Sequence, residues 1–220
     1  MELKKAIEKR YSVRGYLDKS VDKDTVKNIL EVAKKAPSGV NSQPWKVYVV
    51  MGNVRDNLVK EACEKFDKGE MEKEEYQVYP TERPDWYKAR QRGSGFALYG
   101  ALGIEKEDMD KRMKQARKNY EFFGAPHVAI ITTPKDLGAY GVLDCGAFIT
   151  AFTLAAAAIG VSSIPQAAIA GRAPIVREVL NIEEDRDVLC AISFGFADKD
   201  NPANSFRTQR ADLGEFVEWV

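Results

Sequence analysis

The chain has 220 residues, of which 45% are hydrophobic and 30% charged. Lys plus Arg (33) balances Asp plus Glu (33), which argues against a general nucleic-acid or other polyanion binder. This length suits one domain rather than several and allows a core without disulfides or metals, and no apolar run reaches the ~18 residues of a membrane span.

In chain order, residues 2–9 read as a short helix with Leu3, Ala6 and Ile7 on one face. Asp22 can cap a second helix running to about Ala36, with Val26, Ile29, Leu30 and Ala33 at helical spacing. Pro37-Ser38-Gly39 ends it, residues 46–51 read as a strand, and a helix is expected over 54–66. Residues 67–95 are rich in charge, proline and aromatics and read as a lid. Helices follow over about 94–102 and 108–123, the second with Met109, Met113, Ala116, Tyr120 and Phe123 on one stripe. The whole excursion covers about 67–123.

A second strand is expected over 127–132. Residues 141–159 form a nearly all-apolar helix, too short and too interrupted by Asp144 to span a membrane, and so a buried core or interface helix. A strand over 161–164, a helix over 174–180 and a strand over 187–196 follow. The tail, about 212–220, is apolar-rich near its end, and 215–220 could add a strand. The expected fold class is α+β: one unit over 1–220, with a mostly antiparallel sheet of four to five strands surrounded by helices.

The cysteines (Cys63, Cys145, Cys190) are odd in number and lack a Cys-x-x-Cys pair, so a reduced, cytoplasmic protein is expected. The N-terminus has no apolar signal segment. The single histidine, His127, excludes most histidine-based metal sites and triads; no metal is expected, and the chemistry falls to a bound cofactor. His127 itself reads as structural. Gly93-Ser94-Gly95 follows no apolar strand and lacks a third glycine, so it is no dinucleotide fingerprint.

Three polar islands remain. Arg10-Tyr11-Ser12-Val13-Arg14 places two guanidiniums and a hydroxyl on one face of an extended stretch, suited to a phosphate or an anionic ring edge, or to a solvated helix end. Pro37-Ser38-Gly39-Val40-Asn41-Ser42-Gln43-Pro44-Trp45 is a polar loop that can aim amides and hydroxyls at a planar ligand, or simply turn the chain. Arg207-Thr208-Gln209-Arg210 alone is an ordinary surface charge pair.

Taken in order with Gly160-Val161-Ser162-Ser163-Ile164-Pro165-Gln166 and the pair Arg210 and Leu213, these islands resemble the FMN-dependent nitroreductase family over essentially the whole chain. Phe123-Gly124-Ala125-Pro126 is most similar to the branch acting on nitrobenzoate and dinitroaniline substrates. The resemblance implies an intertwined homodimer with FMN at the subunit interface, reduced by NADH or NADPH and passing hydride from flavin N5 to a small aromatic acceptor, a nitro compound or a quinone, in ping-pong turnover. It assigns the phosphate to Arg10 and Arg210, helped by Arg207, with Tyr11 and Ser12 beside it and Arg14 at the N1/O2 edge of the flavin. Pro37, Ser38, Gly39 and Asn41 would come from the partner. Pro165, Gln166, Ala167 and Ala168 would run along the ring, and Asp144 would touch the cofactor. A reductive dehalogenase of halotyrosine type, drawing on Glu74, Glu75, Tyr76, Tyr79 and Lys88, and a non-enzymatic flavin-binding protein are the alternatives on the same fold.

Overall fold

The computed structural model describes residues 2–70, 72 and 75–220. Four strands, β1 (Lys46–Met51), β2 (His127–Pro134), β3 (Ser162–Gln166) and β4 (Arg186–Gly195), form one antiparallel sheet in the order β1-β2-β4-β3. Alternation along the strands sends side chains to two faces, and both are covered.

On one face Ala129, Ile131, Cys190, Ile192 and Phe194 meet α2 (Lys23–Ala33) through Val26, Ile29 and Ala33, and α6 (Gly138–Ala158) through Cys145, Phe148, Phe152 and Ala156. On the other, Val128, Ile130, Val188 and Ala191 meet Leu58 of α3 (Gly52–Asp67) and Ile175 and Val176 of α7 (Ala173–Leu180). The register slips between Ile131 and Thr132, so that Leu189 bulges from β4. The bulge carbonyl accepts the Tyr76 hydroxyl at 2.6 Å, and the Val188 N–H donates to Glu75 at 2.9 Å. Glu75 also pairs with Arg177, so the early part of the excursion is pinned to the sheet.

Asp22 caps α2 as expected, accepting the Thr25 N–H at 2.8 Å. Three expectations need correction. First, α4 (Asp85–Ala101) begins nine residues ahead of 94, and α5 (Met109–Arg117) stops short of 123. Met109 and Met113 are 60% and 51% exposed, so the expected stripe is not a core stripe; the side chain that α5 buries is Gln115. Phe122 and Phe123 instead bury themselves from a 3₁₀ turn with φ of 53° at each.

Second, residues 215–220 form no strand. A 3₁₀ turn over Leu213–Glu215, closed by a capping box from Asp212 to Glu215, leads into irregular chain with Trp219 91% exposed. A strand needs an edge to pair with, and the tail pairs with none among the described residues.

Third, the apolar helix is longer than the sequence suggests. Lys135–Ala158 is long and apolar enough to cross a membrane. It is a core helix nevertheless, since Gly141, Asp144, Cys145, Phe148, Phe152, Thr153, Ala156 and Ala157 are buried. Its other face leaves Tyr140 and Leu143 70% and 67% exposed.

Candidate functional site

α1 (Leu3–Lys9) ends at Arg10, whose N–H still bonds Ala6 at 3.0 Å, and the chain then extends. Ser12 bridges to Ser163 of β3, which fixes the first island along the sheet edge. The C-terminal segment returns to the same place. Asn204 is buried and makes the junction: its Oδ1 accepts the Arg14 N–H at 2.7 Å, and its Nδ2 donates to Gly15 and Asp198 at 2.8 Å each. Sequence reading missed Asn204; the signal available was the Asn201-Pro202 turn, where Asn201 caps a 3₁₀ turn by accepting the Ala203 N–H at 3.0 Å.

The result is a cleft of about 710 Å³, lined by Arg10, Tyr11, Ser12 and Arg14 from one end of the chain and Phe206, Arg207, Thr208 and Arg210 from the other. Ile7 and Glu8 at the end of α1, Pro165, and the α6 residues Ile149, Thr150, Thr153 and Leu154 complete it. The guanidiniums are held in different ways. Arg14 donates to the Ser12 carbonyl at 3.1 Å and lies 5.6 Å over the Phe206 ring. Arg207 lies 3.5 Å from the Tyr11 ring centroid and donates to the Asn204 carbonyl at 2.9 Å. Arg210 donates to the Thr208 hydroxyl at 2.8 Å.

Burial lowers the pKa of Arg14, and burial followed by the nearby Arg210 charge lowers that of Arg10. Among the described residues, no carboxylate forms an ion pair with Arg10, Arg14, Arg207 or Arg210. In a chain with no net charge, four such cations around one cleft make an electrostatic site for an anion.

The structure does not bring every expected site residue to this cleft. The loop that carries Pro37, Ser38, Gly39 and Asn41 is tied to the early part of α6 through Gly39 and Ser42, with Asp144 accepting the Gly39 N–H at 3.1 and 3.2 Å and the Ser42 hydroxyl at 3.3 Å. Ile149 to Leu154 lie about 8–15 Å further along that helix at 1.5 Å per residue. Asp144 is thus turned toward the loop of its own chain. Gln166 is 4% exposed and faces inward, donating to the Asn119 carbonyl at 2.8 Å and accepting from Ser193. Ala167 and Ala168 are half-buried at the start of a 3₁₀ helix over Ala167–Arg172, whose first N–H groups have no partner within the helix.

The remaining candidates lie elsewhere. Glu75 and Tyr76 are engaged at the β4 bulge and Lys88 pairs with Asp85 at 3.5 Å, which gives the dehalogenase reading no support; Glu74 lies outside the described residues. All three cysteines are buried and free, and burial pushes the Cys190 thiol up to about 12. Among the described residues, no group of three or more His, Cys, Asp or Glu side chains could hold a metal.

His127 is structural. Its Nε2 accepts the Val21 N–H at 2.8 Å, its ring stacks on Phe194 at 5.3 Å, and burial lowers its pKa. The unfolded chain therefore binds a proton before the folded one as pH falls. This part of the stability is complete above about pH 6.5 and is lost as pH drops from there toward the folded value. His127→Gln, which keeps an acceptor near Nε2, should flatten the Tm profile below about pH 6.5. Equal slopes for the variant and the wild type would contradict this role.

With the geometry established, comparison with known proteins gives a consistent picture. The family model described as Nitroreductase family matches residues 7–196. The chain is 36% identical to the 4-nitrobenzoate reductase of Nocardioides sp. (strain LMS-CY), over 96% of this chain and 87% of that protein. Among solved structures, the FMN and NADPH-dependent nitroreductase NfnB from Sphigopyxis sp. strain HMH superposes with a TM-score of 0.97 at 31% identity, covering 100% of this chain and 99% of that one. The FMN-dependent nitroreductase NfnB from Mycobacterium smegmatis, in complex with NADPH, superposes with a TM-score of 0.90 at 32% identity over 100% of both chains. The arginine cleft on its antiparallel sheet therefore belongs to a member of the nitroreductase family.

Proposed function

We propose that this chain is an FMN-dependent NAD(P)H oxidoreductase that reduces nitroaromatic compounds, with the flavin phosphate held in the arginine cleft. The observation that carries the site is the meeting of Arg10, Arg14, Arg207 and Arg210 without a carboxylate partner among the described residues. This donor set fits a phosphate dianion, because forked guanidinium donors and the Ser12 and Thr208 hydroxyls can share its oxygens.

When bound, FMN supplies two-electron redox chemistry at its isoalloxazine ring. The chain's own residues bind and polarise. Arg10 and Arg210, whose charges already repel one another, gain most from an anion between them. Arg207, stacked on Tyr11, closes the same side. Arg14 is fixed at its backbone by Asn204 and at its side chain by Ser12 and Phe206, so its charge needs no reorganisation to stabilise negative charge on a ring edge.

The same reading makes the enzyme a homodimer. Tyr140 and Leu143 on α6, and Leu3 and Ile7 on α1, are apolar and 54–70% exposed. An isologous contact across this face would carry the 37–41 loop of one copy toward the cleft of the other.

Purified protein should take up FMN, turn yellow, sediment as a dimer, and oxidise NAD(P)H in proportion to the nitrobenzoate supplied. A monomer that takes up no FMN at micromolar concentration, and leaves NAD(P)H unchanged, would overturn the reading.

A further inference from the structure

Between α2 and β1 the chain adopts a conformation its residue types resist. Val40, Asn41 and Gln43 have φ of 48°, 57° and 48°. Asparagine tolerates the left-handed region, but a β-branched residue does not. Val40 is also fully exposed, so no burial of its side chain offsets the strain. Other groups must hold the loop.

Four holds are present. Asp144, 8% exposed, accepts the Gly39 N–H with both oxygens and the Ser42 hydroxyl at 3.3 Å. Ser38 Oγ accepts the Gln43 N–H at 3.0 Å. Arg186 donates to the Pro44 carbonyl at 2.6 Å while bonding the Thr132 hydroxyl at 2.8 Å and the Thr132 carbonyl at 3.1 Å. Trp45 stacks on Phe148, one turn beyond Asp144, at 5.1 Å. Among the described residues Asp144 forms no ion pair, so it is a buried carboxylate in an apolar helix whose hydrogen bonds all serve this loop. Strain retained at the exposed tip of a firmly held segment marks a shape kept for binding.

We propose that Asp144 and Arg186 are positioning residues that hold the 38–44 loop in its strained, outward-facing shape, and that this shape is what FMN requires. The inference rests on the dimeric flavoenzyme reading above. It assigns neither residue a contact with the cofactor: both act through the loop backbone.

The test is an FMN titration of Asp144→Ala, Asp144→Asn and the double variant Val40→Gly/Asp144→Ala, read by quenching of flavin fluorescence and accompanied by sedimentation. Asp144→Ala should weaken FMN binding by about 10- to 100-fold while the dimer persists, and Asp144→Asn, which keeps an acceptor, by less. The double variant should recover most of the loss, because glycine takes the left-handed conformation without strain. Wild-type affinity in Asp144→Ala would overturn the proposal. So would a loss that Val40→Gly leaves untouched, since that points to direct contact or general destabilisation.

Amide exchange on the cofactor-free protein separates this proposal from the functional reading. Gly39 should be protected in wild type and lose protection in Asp144→Ala, whether or not the protein binds FMN. Unchanged protection would overturn the clamp. Failure of the flavin reading would show instead as wild-type protein that takes up no FMN.

Discussion

The double variant Arg10→Ala/Arg210→Ala should weaken FMN binding by about 100- to 10,000-fold while leaving the fold intact. Each guanidinium removes a charge-assisted interaction worth about 1.5–3 kcal/mol, or about 3–6 kcal/mol for both. Tm without cofactor should hold or rise slightly, because the Arg10 pKa is already lowered by burial and by the Arg210 charge. Neither side chain forms an ion pair among the described residues that its removal would orphan. The measurement is an FMN titration paired with thermal melts of the apoprotein. A fall in Tm with unchanged FMN affinity would make these arginines structural.

The largest expected stability effect lies behind the cleft. Phe152 is fully buried, edge-on to Phe194 at 5.5 Å and tilted against Phe148 at 6.5 Å. Phe152→Ala should cost about 3–5 kcal/mol from lost burial and the cavity left behind. At about 2–4 °C per kcal/mol for a chain of this size, Tm should fall by about 6–20 °C. The next residue, Thr153, lines the cleft, so FMN affinity should fall with it. Chemical denaturation and the same titration read both effects. A drop below about 1 kcal/mol would mean that α6 is not the wall on which the sheet packs.

What the sequence disclosed follows from what burial demands. The periodicity of Val26, Ile29 and Ala33 is the pattern of a helix with one face on the sheet, and all three are buried there. Strand β1 shows the same logic, and its bounds coincide with the expected 46–51. Helix α4 had no such signal at its start. Residues 85–93 carry charge and aromatics without apolar spacing, and α4 buries no residue. Met109 and Met113 have helical spacing without a core beneath them, so spacing alone misassigned their face.

The site divides in the same way. The first island and the C-terminal arginines were visible as residue types, but their meeting depends on Asn204, whose two long-range hydrogen bonds, to Arg14 and Gly15, no local pattern encodes. Asp144 was visible as a charge within an apolar helix. Its direction, toward Gly39 and Ser42 of its own chain, depends on how α6 crosses the loop, which is a tertiary fact. Gln166 lies in an expected site motif yet faces inward, because the alternation of β3 sends it to Ser193 and Asn119.

The most direct measurement is the ratio of FMN to riboflavin affinity, which differs only by the phosphate. Wild-type protein should bind FMN at least about 100-fold more tightly than riboflavin, with the preference shrinking as salt rises and collapsing in the double arginine variant. Equal affinity for the two flavins would contradict the account, because four guanidiniums gathered from both ends of the chain would then be holding something other than the phosphate.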